Sequence, residues 1–436
     1  MGSTVITINH LVDPSKKDVV DAVDHKSSTS PIKEEKRATK LSILAYLKEM
    51  TSKQDVRKLI HSIKVGIALV LVSLLYLLDP LFEEVGENAM WAIMTVVVVF
   101  EFYAGATLGK GLNRGIGTIL GGGLGCLAAA FAQKVGGVGN SVIVATSVFI
   151  FGALATYTRL VPSIKKRYDY GVMIFILTFN LVVVSGIRAE KVLELARERL
   201  STIGMGFAIC VIISLLVFPS WASNEFHQSM ASKFEDLAQS IEGCMEEHFR
   251  VADEKENQKS NSTTSSKCKS VLNSKAKDEQ LANFAKWEPW HGKFGLYHPW
   301  GKYLQIGEHL RELASSVLSL KYCLQSPRQP SSTMRKSINE PCEEVGLSLG
   351  WTLRELGESI KKMRKCHQEN LILPKLKAIR QELSLVVSLS KMDQMENNVD
   401  ALAIASFVFL LMEMVDKVED LAKEVEELGE NAAFRA

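Results

Sequence analysis

Lys110 stands in a glycine-rich run, Gly105-Ala-Thr-Leu-Gly109-Lys-Gly111, of the kind whose backbone amides can cradle a phosphate. The spacing excludes that chemistry. Three residues, not four, separate Gly105 from Gly109, and Gly111 occupies the position where a phosphate-binding loop needs the hydroxyl of Ser or Thr. Gly123-Leu-Gly125-Cys-Leu-Ala128 fits the looser dinucleotide pattern, but no strand pattern precedes it and no acid follows at the required distance. His291 and His298 lie in WEPWHGKFGLYHPW without the close cysteine or acid pair that a zinc site needs; Pro and Gly there point to a packed loop. No nucleophile elbow, HExxH or Walker pattern occurs, so no enzyme chemistry and no cofactor are indicated. What remains is charge in apolar surroundings. Glu101, between Phe100 and Phe102, falls inside the apolar run 89–109. A carboxylate within a membrane span costs about 2.5–3.5 kcal/mol on insertion scales, which makes it a functional candidate.

The elements that would position these residues are membrane helices. Six spans of roughly the length a bilayer requires can be read at 59–79, 89–109, 115–133, 141–158, 170–187 and 201–219, with a short glycine-rich turn carrying Lys110 and Arg114 between the second and third. Gly105, Gly109, Gly117, Gly121 and Gly125 recur every four or eight residues, a spacing that lets helix backbones approach closely in lipid. Lys and Arg cluster before the first span and after the second and fourth, which places both termini in the cytosol. Basic groups at span ends stabilise a permeating anion. Lys110 and Arg114 then sit at the inner mouth, Arg159 and Arg167 at the other cytoplasmic turn, and Arg188 and Arg199 flank the outer loop. Topology alone explains the inner cations. Arg199 opposes the topology rule, and Arg188 and Arg199 together are the leading residues for the outer part of the pathway. Glu101, framed by Phe100 and Phe102, would need a paired or protonated state in an anion pathway, and either state could form a gate.

Several long segments in this order resemble one family. AMWAIMTVVVVFEF, GATLGKGLNRG, RYDYGVMIFILTFNL, SGIRAEKVLELARERLST, WEPWHGKF and HPW are similar to the plant aluminium-activated malate transporters, which are anion channels. The resemblance runs from about Val56 to Trp300 and more loosely beyond. It implies a homodimeric, passive channel for malate, and for chloride or nitrate, gated by voltage or ligands, in the plasma membrane or the vacuolar membrane. It also implies a pore arginine within RERLST and regulation by gamma-aminobutyrate at the junction of Phe218 and Trp221, although Ser223 stands where the family usually has Gly. Two other classes stay open: a proton-coupled exporter of organic or aromatic acids using Glu101, and a membrane-anchored scaffold or signalling protein.

Composition agrees with a chain of two halves. The 436 residues are 47% hydrophobic with a formal net charge of +2, which argues against a nucleic-acid binder. Seven scattered cysteines form no CxxC pair. The expected fold is all-α: a mobile cytosolic tail over 1–52, a six-helix conducting domain over 53–221, and a helical cytosolic domain over 222–436 with a polar linker near 251–280 whose serines are open to kinases. Further helices are expected over 342–366, 371–391 and 397–429. On the outer face, Glu83, Glu190 and Glu194 could bind a hard trivalent cation such as aluminium through oxygen ligands; pairing of the last two with Arg197 and Arg199 is the simpler alternative.

Overall fold

The computed structural model describes residues 53–77, 89–186, 192–249, 258–295, 297–325, 332–365, 369–392 and 398–435. The expected tail over 1–52, and with it Glu83, Arg188 and Glu190, lies outside the described residues, as does the side chain of Glu194. The described chain is helical throughout; its only extended pairings are the isolated bridges His291–Phe294 and Arg364–Arg435. It forms two compact units, 1–60 and 61–436. Of the first, the described part is the opening of α1 (Lys53–Leu77), where Lys58 Nζ lies 3.0 Å from Asp55 Oδ1.

The second unit begins with apolar helices: the rest of α1, then α2 (Ala89–Val99), α3 (Ala104–Val135), α4 (Gly137–Leu160), α5 (Pro162–Gly186) and α6 (Val192–Leu216). Among the described residues, four stretches are long and apolar enough to cross a membrane, one in each of α3 to α6. Many of their large side chains, such as Leu127, Phe131, Phe149 and Leu154, are exposed. In water so wide an apolar surface would be a liability, whereas a bilayer requires it.

The chain breaks where the sequence did not predict. The expected span 89–109 is interrupted at residues 100–103, and the expected turn around Lys110 and Arg114 is continuous helix. The reason is local hydrogen bonding. Glu101 N–H donates to Thr107 Oγ1 at 3.0 Å, and the extended Tyr103 leads into Ala104, whose N–H donates to Ser220 O at 3.0 Å. The helix α3 that follows has 32 residues and is about 48 Å long. By contrast α2, with 11 residues, covers about 16 Å, roughly half of a hydrocarbon core.

The glycines explain why α3 continues. A Cβ on Gly109 would stand 2.9 Å from Trp287 Cδ1, and one on Gly121 would stand 2.7 Å from Phe175 O of α5. Close packing therefore offsets the intrinsic helix penalty of glycine, about 1 kcal/mol per residue. The four-residue series is divided: Gly105 and Gly109 face the segment 284–288, and Gly117, Gly121 and Gly125 face α5. Gly121→Leu is expected to lower the yield of folded protein several-fold in detergent size-exclusion chromatography. Gly123→Ala, at a position with open space around it, is expected to leave the yield unchanged.

Past Pro219 the helices turn amphipathic: α7 (Ala222–Phe249), α8 (Gln258–Leu272), α9 (Lys275–Ala285), α10 (Trp300–Leu324), α11 (Ser332–Lys362), α12 (Glu369–Met392) and α13 (Asn398–Asn431). Their apolar stripes meet in one core. Phe226, Phe234 and Ile241 of α7 join Ile306, Leu313 and Leu320 of α10 and Leu411, Val418 and Leu428 of α13 there, each fully buried. The last two helices lie within about two residues of the expected 371–391 and 397–429, whereas α11 begins ten residues before the expected 342 and ends at Lys362. The polar segment expected as a linker is helical from Gln258 onward, and Cys268 and Val271 anchor it in the same core. Few apolar residues suffice to hold α8, which is why its composition reads as loop.

Candidate functional site

The break between α2 and α3 brings the first group together. Lys110 Nζ pairs with Glu101 Oε1, both side chains being about one-third exposed or slightly more. Phe100 is buried, and the rings of Phe100 and Phe102 lie 5.8 and 5.4 Å from that of His61 on α1. One turn beyond Lys110, the buried Arg114 donates from Nη1 to the hydroxyl of Tyr170 on α5 at 3.1 Å, while its Nε has no hydrogen-bond partner among the described residues. Beside it, Asn113 Nδ2 donates to Arg167 O at 3.0 Å and fixes the register of α3 on α5.

The two cations expected at the other cytoplasmic turn are otherwise engaged. Arg159 makes a forked pair with Asp169, at 2.7 and 3.1 Å. Arg167 lies over the rings of Tyr168 and Trp287, at 5.5 and 5.3 Å. A cation already matched to a carboxylate has little field left for a passing ion, so Arg159 contributes less than its charge implies.

Arg199, on α6, sits apart from all of these. Its guanidinium lies 5.1 Å from the ring centroid of Trp91 on α2, and its Nε and Nη1 atoms are buried with no hydrogen-bond partner among the described residues. It lines a cavity of about 750 Å³ together with Thr118, Gly122, Cys126 and Gln133 of α3 and Thr178 of α5. The Thr118 hydroxyl is likewise buried without a partner among the described residues. Small residues on α3 open this space, and the two buried guanidinium nitrogens, without a carboxylate among the described residues, are costly unless they meet a charged ligand. Thr118 follows Arg114 by four residues and so shares its helix face. The sequence carried that signal, but nothing in it linked Trp91 or Tyr170 to the arginines.

The α6–α7 junction is held from a distance. Phe218, with φ of 43°, is exposed, and its carbonyl accepts a 2.7 Å hydrogen bond from Lys64 Nζ. Trp221 stacks on His291 with ring centroids 3.7 Å apart. Buried Glu288 accepts from the N–H groups of Ala222, at 2.6 Å, and Ser223, at 3.2 Å, satisfying two orphan donors at the start of α7. Burial raises the Glu288 carboxyl above its ordinary value, against the donors that lower it. His291 Nδ1 donates to Pro289 O at 2.8 Å, so in the neutral ring Nε2 is the acceptor for Ser223 Oγ at 2.9 Å. The two expected ligand residues thus sit on a structured joint, Phe218 facing outward and Trp221 locked on His291.

A second histidine pair lies deeper. His227 Nδ1 is 2.9 Å from the hydroxyl of Tyr303, and His298 Nε2 is 3.5 Å from the same oxygen. Burial, reinforced by His227, lowers His298 from 6.5 to about 4. Between those values the unfolded chain binds more protons than the folded one, so stability rises with pH across that window and falls on acidification. His298→Phe is expected to flatten the pH dependence of thermal unfolding between about pH 4 and 6.5. An unchanged slope would show that His298 does not carry it.

Residues 49–391 match the family described as aluminium activated malate transporter. The chain is 40% identical over 386 residues to aluminum-activated malate transporter 2 of Arabidopsis thaliana, covering 88% of this chain and 77% of the relative. It is 44% identical over 329 residues to transporter 13 of the same plant, covering 73% of this chain and 60% of that relative. It is 36% identical over 396 residues to aluminum-activated malate transporter 1 of Triticum aestivum, covering 88% and 84% of the two chains. With its apolar helix bundle and with the family match extending over most of its length, the chain belongs to the aluminium-activated malate transporter family.

Proposed function

We propose that this chain is a passive channel for malate, with chloride and nitrate as further permeant anions, and that Arg199 is its principal anion contact. The observation that carries this reading is the half-buried Arg199 guanidinium, whose Nε and Nη1 are buried without a hydrogen-bond partner among the described residues and which lines a cavity between helices with no carboxylate partner among them. Arg114, buried and matched among the described residues to the Tyr170 hydroxyl, extends the favourable path along α3 toward Lys110. Malate is the anion that the relatives are named for. No energy-coupling chemistry is needed. For a dianion, a potential of 100 mV amounts to about 4.6 kcal/mol.

In this reading residues 53–221 form a six-span conducting domain, with the short α2 counted as part of a span, and residues 222–436 form a cytosolic domain. Both termini face the cytosol, the membrane is the plasma membrane or the vacuolar membrane, and two copies assemble. The Glu101–Lys110 pair, flanked by Phe100 and Phe102, is the gate: separating the pair frees a cation at the inner mouth. Phe218 and Trp221 are the regulatory ligand contacts, and kinases act on the serines near 260. An aluminium site at Glu83, Glu190 and Glu194 is retained as a reading of the sequence alone.

The exporter alternative is weakened by the same pair, because a proton on Glu101 would have to displace Lys110. Voltage-clamp recording with equal pH on both sides tests the proposal. Malate current without a pH gradient is the expected result. Current that appears only with a pH gradient would favour the exporter, and surface expression without any malate current would favour the scaffold.

A further inference from the structure

A second cavity, separate from the one that Arg199 lines, lies between the start of α5 and the helices α9 and α10. It measures about 780 Å³, and its charged walls are Lys166, Arg167, Lys275, Lys286 and Arg311 against Glu279 and Glu308. We propose that it binds a phosphorylated membrane lipid headgroup, of the phosphoinositide class. The inference rests on the orientation given above, which puts this end of α5 in the cytoplasmic leaflet, but not on conduction.

Three observations carry it. The first is charge: five cations face two carboxylates, and the third nearby acid, Asp278, is consumed inside the protein. Buried Asp278 Oδ2 lies 2.5 Å from Lys233 Nζ and 3.4 Å from Arg311 Nη1, and it accepts from Ser274 Oγ at 2.8 Å. Arg311 is thereby held rigidly at the cavity wall. The second is exchangeability. Lys166–Glu279, at 3.0 Å, and Lys275–Glu308, at 3.5 Å, are exposed pairs, which hold little energy and can yield to a phosphate. Lys286 is exposed, and Ser163, Asn283 and Gln305 add neutral hydrogen-bonding groups. The third is location. α5 opens on the charged run Lys165 to Asp169 and turns apolar from about Tyr170, so Tyr168 and Tyr170 stand at the level where aromatic residues mark a membrane interface. A basic pocket between helices at that level suits a phosphoinositide headgroup. Because the lining comes from α5 as well as from α9 and α10, an occupant would bridge the apolar helices and the amphipathic ones.

The test is a binding measurement on the purified full chain in detergent, using short-chain phosphatidylinositol bisphosphate, the soluble inositol phosphate headgroup and inorganic phosphate as separate probes. The lipid is expected to bind most tightly, and Lys275→Gln with Lys286→Gln is expected to weaken it by at least about tenfold, since each variant removes one charged hydrogen-bond donor. Unchanged lipid affinity in the double variant would overturn the site. Equal affinity of the soluble headgroup would overturn the membrane source in favour of a free polyphosphate. Neither substitution touches the Arg199 cavity, so malate current read alongside separates failure of this site from failure of the channel reading.

Discussion

Arg199→Glu is expected to abolish malate current while leaving the amount of protein at the membrane unchanged. A unit charge 4 Å from a permeating carboxylate is worth about 4 kcal/mol at an effective dielectric near 20. Removing the charge in Arg199→Ala should therefore lower current at least about tenfold even if most of that energy is screened, and reversing it should do more. Folding should tolerate both changes. The guanidinium holds no carboxylate among the described residues; its visible contact is the face of Trp91, a cation–π interaction of roughly 1–2 kcal/mol. Arg199→Lys keeps the charge but loses the planar fit on the indole, and an intermediate current is expected. Voltage-clamp current normalised to surface-labelled protein decides the matter, and wild-type current in the glutamate variant would remove Arg199 from the pathway.

Glu288→Ala is expected to have the largest effect on folding. It strips both acceptor oxygens from the first turn of α7 and leaves two buried N–H groups unsatisfied, at about 1–3 kcal/mol each. The same side chain lies against the first turn of α3, where a Cβ on Gly105 would stand 2.7 Å from Glu288 Cγ. One residue thus ties the start of α3 to the start of α7, and its loss should lower the thermal midpoint in detergent by several degrees or more and sharply reduce surface expression. Glu288→Gln keeps one carbonyl oxygen and should fall between. A midpoint within error of wild type in the alanine variant would show the cap to be dispensable.

Much of this was legible beforehand, for physical reasons that differ along the chain. Membrane helices are the strongest signal a sequence can carry, because a bilayer demands about twenty apolar residues and leaves the backbone no other way to satisfy its hydrogen bonds. The amphipathic helices of the second half announced themselves by steps of three and four, and Phe226, Phe234, Ile306 and Leu411 are buried as those steps require. The position of the first turn was not legible. Glycines at 105, 109 and 111 read as a loop because their local preference is loop, and only packing against Phe284, Glu288, Trp287 and Phe207 makes them helical.

The candidate site divides in the same way. Residue type and span position by themselves singled out Arg199, Arg114, Lys110 and Glu101, since charge in an apolar run is costly wherever the run folds. The tertiary structure alone decided which of these charges stay available. It paired Lys110 with Glu101, matched Arg159 to Asp169, set Arg114 against the Tyr170 hydroxyl, and set Arg199 over Trp91 at the wall of a cavity. It also found the acceptor for α7's orphan amides in Glu288, sixty-five residues away from Ser223. Composition and periodicity are properties of one segment, whereas the partner of a buried charge is fixed by where distant segments meet.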